Sequence, residues 1–127
     1  MASHNELGKE GEEMAVKWLK ENGFDILHQN WRHSHYEIDI VATKLHPGKK
    51  TTQKEFLHFI EVKARNYSPF GYPEDSVGKK KFKSLKKAAD EFLFQNPGHK
   101  WIQYDILSIT LYKDKEPEYF FIEDVFI

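Results

Sequence analysis

Cysteine is absent from this 127-residue chain, which excludes disulfides, thiolate metal centres and cysteine nucleophiles together and suits a reducing compartment. No stretch of 18 consecutive apolar residues occurs, so no helix is expected to span a membrane. The first ten residues hold no apolar run, so no signal peptide is expected and the expected location is cytoplasmic. A glycine-rich phosphate loop, zinc-finger spacing and a Ser-His-Asp arrangement with supporting context are missing too. No repeat, low-complexity stretch or linker divides the sequence, and its length suits one domain over 1–127. What is present is core-forming material: hydrophobic residues make up 39% and aromatics 15%, too many for a disordered chain.

Formal net charge is −1, from 19 basic and 20 acidic residues, but the average hides a polarised chain. Lys79, Lys80, Lys81, Lys83, Lys86 and Lys87 fall within nine residues, with no acid between Ser76 and Ala89. A solvated helix surface is the bland account of such a run. Yet solvated helices usually mix signs, and like charges at i,i+4 repel. Binding to phosphates of a nucleic acid relieves that repulsion, so a salt-sensitive contact that positions without reading sequence is expected.

Periodicity gives the elements. Leu7, Gly11, Met14, Ala15, Trp18 and Leu19 make a helical stripe, opened by Ser3 and Glu6 at capping-box spacing and closed by Asn22-Gly23. Gly8 and Gly11 each cost about 1 kcal/mol inside it relative to Ala, so a close backbone approach is expected there. Phe24 to Trp31 and Tyr36 to Thr43 suit a hairpin around the turn Arg32 to His35, with a long loop from Lys44 to Lys54 behind it. Glu55 to Ala64 is a third strand, and Ser68 to Pro73 a loop. Val77 to Gln95 returns to helix through Phe82, Leu85, Ala89, Phe92 and Leu93, ended by Asn96-Pro97-Gly98. Trp101 to Leu111 is expected as a doubly covered strand, and Glu118 to Ile122 as a last short one. The order αβββαββ predicts an α/β or α+β sandwich.

Strand alternation places the candidate chemistry. Glu61 and Lys63 fall on the face opposite Ile60 and Val62, and Glu37 and Asp39 on the face opposite Ile38 and Ile40. A buried carboxylate is costly unless paired or metal-bound. Two on adjacent strands repel, and a divalent cation between them relieves the repulsion; hard oxygen ligands select Mg²⁺ or Mn²⁺. A neighbouring lysine orients a water or meets charge developing on a phosphate. On its own, Glu-x-Lys is ordinarily a salt bridge; the combination with an acid on the next strand and Glu12 on the glycine-bearing helix points to phosphodiester hydrolysis.

At these residues the chain resembles a family. Gly8 to Ala15, Asn30-Trp31-Arg32, Glu37 to Val41 and Ile60 to Arg65 look like the successive motifs of the YraN family, which is similar to the archaeal Holliday-junction resolvases of the PD-(D/E)XK nuclease superfamily. The likeness continues through Val77, Lys81, Leu85 and Ala89 to Tyr104-Asp105-Ile106. It implies a restriction-endonuclease-like mixed β-sheet flanked by helices. It also implies Asp39 and Glu61 as metal ligands, Glu12 as a further acid at the metal, Lys63 as the catalytic lysine and Lys81 as the basic-helix residue. The backbone carbonyl of Val62 is the implied extra ligand. Tyr36 stands where the family usually has glycine and is expected to narrow the approach to Asp39.

Other features carry less. His33, His35, Glu37 and Asp39 alternate as a zinc site requires, but the turn over Arg32 to His35 is expected to break their alignment. His58 points with Ile60 and Val62 and suits a satisfied core histidine. Tyr67, Phe70 and Tyr72 suit core-edge packing, with base stacking as the alternative. The expected function is Mg²⁺- or Mn²⁺-dependent endonuclease action on DNA, including branched or recombining substrates. The alternatives are a non-cutting nucleic-acid-binding module, and an interaction domain that forms a homodimer through Val125-Phe126-Ile127 and the last strand.

Overall fold

The first stripe becomes α1, His4–Glu21, in a computed structural model that describes residues 4–47, 53–70 and 79–125. Side chains are described from residues 7, 54 and 82 onward in these three stretches. Ser3 lies outside them, so the capping box does too. The far end is as expected: Gly23 takes φ 89°, and the Phe24 N–H donates to the Leu19 carbonyl at 3.0 Å, closing the helix through a left-handed residue.

Five strands follow the predicted order. They are β1 Asp25–His33, β2 Tyr36–Pro47, β3 Gln53–Asn66, β4 Trp101–Leu111 and β5 Glu118–Ile122, with α2 over Lys79–Gln95 between β3 and β4. They form one sheet in the order β1-β2-β3-β4-β5. Only the β3–β4 pair is parallel, because α2 is the crossover that returns the chain to the same end. Ser34, at φ 56°, makes the tight β1–β2 turn.

The expected loop from Lys44 to Lys54 is largely strand. Lys44 pairs with Phe56, Leu45 with Glu55, His46 with Lys54 and Pro47 with Gln53. The hairpin therefore extends past the core, and polar residues suit it because both faces there are partly solvated: Leu45 is 56% exposed. Lys44 and Lys54 lay their ammonium groups over Phe24 and Trp101, at 4.8 and 4.0 Å from the ring centroids. Residues 48–52, which include the connection, lie outside the described residues.

Two separate apolar clusters cover the sheet. Ala15, Val16 and Leu19 of α1 pack with Phe24, Ile40, Ala42, Ile60, Leu107 and Ile109. Phe82, Leu85, Ala88, Ala89 and Phe92 of α2 pack with Ile38, Val41, Leu57 and Phe59. The helices thus flank opposite faces, and the molecule has the restriction-endonuclease-like α/β architecture. Gly11 explains one of the two helical glycines: a Cβ there would run into the Ala64 side chain. Gly8 meets nothing within 4 Å, so the close approach expected of it is not found.

Val125 turns inward. Its N–H donates to the Tyr104 carbonyl at 2.8 Å and its side chain packs against the α2 cluster, while Phe126 and Ile127 lie outside the described residues. Tyr67 packs on Tyr112 with centroids 5.0 Å apart. Phe70, expected at the core edge, is instead 96% exposed. Tyr72 lies outside the described residues. Among the described residues no helix is long and apolar enough to cross a membrane.

Candidate functional site

The site begins where two strands part. The β2–β3 ladder starts at Ile40↔Ile60 and runs away toward Pro47↔Gln53, whereas residues 36–38 of β2 stay paired with β1 alone. Asp39 and Glu61 therefore stand at the fork. Because the ladder has ended there, the Val62 N–H donates to Asp39 Oδ2 at 2.9 Å, so a side chain replaces the missing strand neighbour. That bond aims Asp39 and satisfies a donor that partial burial would otherwise leave costly.

Strict alternation fails at this fork. Ile38 belongs to the α2 cluster and Ile40 to the α1 cluster, so the expectation that both lie on one face, opposite Asp39, is corrected. Strand β3 stays regular: Phe59 faces α2, Ile60 and Val62 face α1, and Glu61 and Lys63 accordingly point to the α2 side. Glu61 is buried at 7% exposure.

Asp39 and Glu61 share one cleft of about 430 Å³ with His35, Tyr36, Glu37, Ser84, Leu85 and Lys87. Its floor is the fork, one wall is the head of β2 and the other is α2. The walls are tied together. His33 Nε2 lies 3.3 Å from Glu91 Oε1, and the Trp31 ring meets Phe92 edge-on at 5.4 Å. Arg32 holds Glu37 at 3.2 Å.

Glu12 is not among the cleft-lining residues. Its Oε2 accepts a hydrogen bond from Asn30 Nδ2 at 2.8 Å, which ties α1 to β1. Among the described residues no three His, Asp or Glu side chains are grouped to hold a metal ion. Of the three acids expected to meet around Lys63, Asp39 and Glu61 line the cleft and Glu12 does not, nor is Lys63 itself among the lining residues; of the alternating His33, His35, Glu37 and Asp39, the last three line it. Of the lysine cluster, Lys83, Lys86 and Lys87 are exposed on α2, and Lys87 reaches the cleft. The side chains of Lys79, Lys80 and Lys81 lie outside those described.

A second polar group lies apart from the cleft, on the α1 side. His58, fully buried, has its Nδ1 2.5 Å from Asp105 Oδ2, and Asp105 Oδ1 accepts from Gln103 Nε2 and the Asp124 N–H, each at 2.9 Å. His46 Nε2 is 2.9 Å from His58 Nε2. The satisfied core histidine is found, while its partners were not legible: Asp105 is 47 residues away in the chain. Burial is the main cause that lowers the His46 pKa below 6.5, with His58 and Lys44 adding to it and Glu123 and Asp105 opposing. Glu37 and His35 line the cleft with Asp39, in keeping with the alternation seen in the sequence, whereas Ser84 carries no signal of its place there because α2 meets the cleft only through tertiary packing.

Known sequences align with most of this chain. The family described as "Uncharacterised protein family UPF0102" matches residues 11–109. A UPF0102 protein of Bacteroides thetaiotaomicron is 39% identical over 109 residues, covering 86% of this chain and 83% of its own. UPF0102 protein FP2501 of Flavobacterium psychrophilum is 38% identical over 116 residues, covering 91% and 88%. A Parabacteroides distasonis UPF0102 protein is 36% identical over 128 residues, covering 99% and 96%. The matched stretch holds Glu12, the fork, Lys63 and all of α2, and with likeness of this extent the chain belongs to the UPF0102 family, the YraN family that its motifs resemble.

Proposed function

We propose that the cleft hydrolyses phosphodiester bonds of DNA with Mg²⁺ or Mn²⁺ as cofactor, with branched or recombining DNA among its substrates. The observation that carries this reading is the pairing of Asp39 and Glu61 in one cleft at the fork, with Lys63 two residues beyond Glu61 on the same face. The donor set fits the cation. Mg²⁺ keeps several waters and takes one or two carboxylates plus substrate phosphate, rather than an all-protein cage. Such a cation, when bound, withdraws charge from the phosphoryl oxygens and supports the attacking water.

The chain's own groups do the rest. Asp39, aimed by the Val62 N–H, and Glu61 hold the cation, and the Val62 carbonyl is the further oxygen donor that the family resemblance implies. Lys63 orients the water and meets negative charge on the phosphate as it builds. Lys87 brings one positive charge into the cleft, and Lys83 and Lys86, with Lys79 to Lys81, hold the flanking backbone. Glu12 acts from outside, bonded to Asn30.

The test is a cleavage assay on labelled single-stranded, duplex and four-way-junction DNA, with Mg²⁺, Mn²⁺ or EDTA. Metal-dependent cutting is expected, falling by about 100-fold or more in Asp39→Asn and Lys63→Ala, the scale on which a lost transition-state contact acts. Glu12→Gln is expected to fall less, because its carboxylate is already engaged by Asn30. Cutting that survives both Asp39→Asn and Lys63→Ala is a contaminant and refutes the reading. The engagement of Glu12 outside the cleft favours one second reading, a module that binds nucleic acid without cutting; salt-sensitive binding with no cleavage is its signature.

A further inference from the structure

We propose that the rim of the cleft is a nucleobase subsite, in which the paired rings of His35 and Tyr36 stack on an unpaired base. The substrate class that follows is DNA with an unstacked nucleotide beside the scissile phosphate, as in single strands, flaps and branch points. The inference deepens the nuclease reading and rests on it for the polarity of the phosphate.

The two rings lie 4.3 Å apart between centroids at a tilt of 33°, and both residues line the cleft that holds Asp39 and Glu61. His35 is exposed, and Tyr36 is half-buried because it also packs against the α2 cluster. The platform is thus anchored in the core and open at the rim. The contacts of Trp31 and His33 with α2 hold the hairpin end in place, so little conformational freedom is lost when a ligand arrives.

Size and chemistry select the ligand. A cleft of about 430 Å³ is of small-molecule dimensions: it admits one nucleotide and excludes stacked base pairs. Stacked bases in a duplex show only their edges, and an aromatic platform can reach a base face only after unstacking. Every base has such a face, so the subsite tolerates all four. The bulk of Tyr36, expected from the sequence to narrow the approach to Asp39, becomes a contact surface rather than an obstruction.

The experiment measures binding of the full chain to a short single-stranded DNA carrying one 2-aminopurine, and to its duplex, in Ca²⁺ with the DNA checked intact on a gel. Stacking is expected to quench the 2-aminopurine fluorescence at saturation. Tyr36→Leu, which keeps an apolar side chain against the core, is expected to weaken single-strand binding about 5- to 50-fold, as loss of one base–aromatic stack does. Tyr36→Phe is expected to stay within about 3-fold of the parent, since the ring is the contact. Unchanged fluorescence at saturation, or equal single-strand affinity of the parent and a folded Tyr36→Leu, overturns the subsite. Quenching that depends on Tyr36, in a protein that cuts nothing with Mg²⁺ or Mn²⁺, retains the subsite and refutes the nuclease reading instead.

Discussion

Gly8 and Gly11 sit on the same helix, yet their surroundings give them opposite roles. At Gly8 nothing stands within 4 Å of an added Cβ. Gly8→Ala is therefore expected to stabilise by about 0.5–1 kcal/mol through helix propensity, raising the melting temperature by about 2–4 °C. At Gly11 the same methyl collides with Ala64, and overpacking of about 1–3 kcal/mol exceeds the propensity gain. Gly11→Ala is expected to lower the melting point in the same thermal scans. His46 gives a pH effect. Its folded pKa lies below 6.5, so below about pH 6.5 the unfolded chain binds more protons than the folded one, and stability falls as pH falls through that window until the folded pKa is passed. The drop in melting temperature from pH 7.5 to 5.5 is expected to be smaller in His46→Gln than in the parent; an equal drop refutes the assignment.

At the scale of elements, the fork between β2 and β3 depends on β2 keeping its β1 partner while losing β3. Beside the fork, on the α1 side of the sheet, the Asp105 group joins β3, β4 and the segment after β5; Asp105 is in register with Ile60, the first residue of the β2–β3 ladder. Asp105 accepts from His58, Gln103 and the Asp124 N–H. Removing its carboxylate leaves buried donors without their acceptor, and breaking a buried charged network by deleting one partner costs about 3–5 kcal/mol. Asp105→Ala is expected to lower the melting temperature by about 10 °C or more, with Asp105→Asn less damaging because one acceptor oxygen remains. Differential scanning calorimetry of the two variants distinguishes this from simple loss of volume.

For the whole molecule, charge is arranged by face. The cleft floor carries Asp39 and Glu61, while α2 exposes Lys83, Lys86 and Lys87, the last of which lines the cleft; under the proposed function, a phosphate backbone would meet these cations next to the two acids. A net charge of −1 does not prevent this, because fields act locally within about 10 Å at 0.1 M salt. Lys86→Ala and Lys87→Ala are each expected to reduce the salt dependence of duplex binding by about 0.9 in log K per log salt. Fluorescence anisotropy across a salt series measures the slope, and an unchanged slope in both variants removes α2 from the interface.

Much of this was legible in one dimension. The helical stripes, the Asn22-Gly23 stop and the Glu118–Ile122 strand follow from periodicity and breakers, because these signals act over a few residues. Glu61 and Lys63 on the α2 face follow from the regular alternation of β3. The side of Ile38 did not, since alternation fails where β2 leaves its neighbour. The length of β2 and β3 did not either: their outer ends run beyond the core, and a solvated ladder needs no apolar pattern.

Element order, helix faces and the acid–lysine motif are thus properties of the sequence itself, since local sterics and burial periodicity specify them. Tertiary structure alone decided which acids share a cleft, which hydrogen bond detains Glu12, and that a hairpin tip and α2 form opposing walls. Those outcomes depend on contacts between segments far apart in the chain, and such distances are set by packing rather than by spacing.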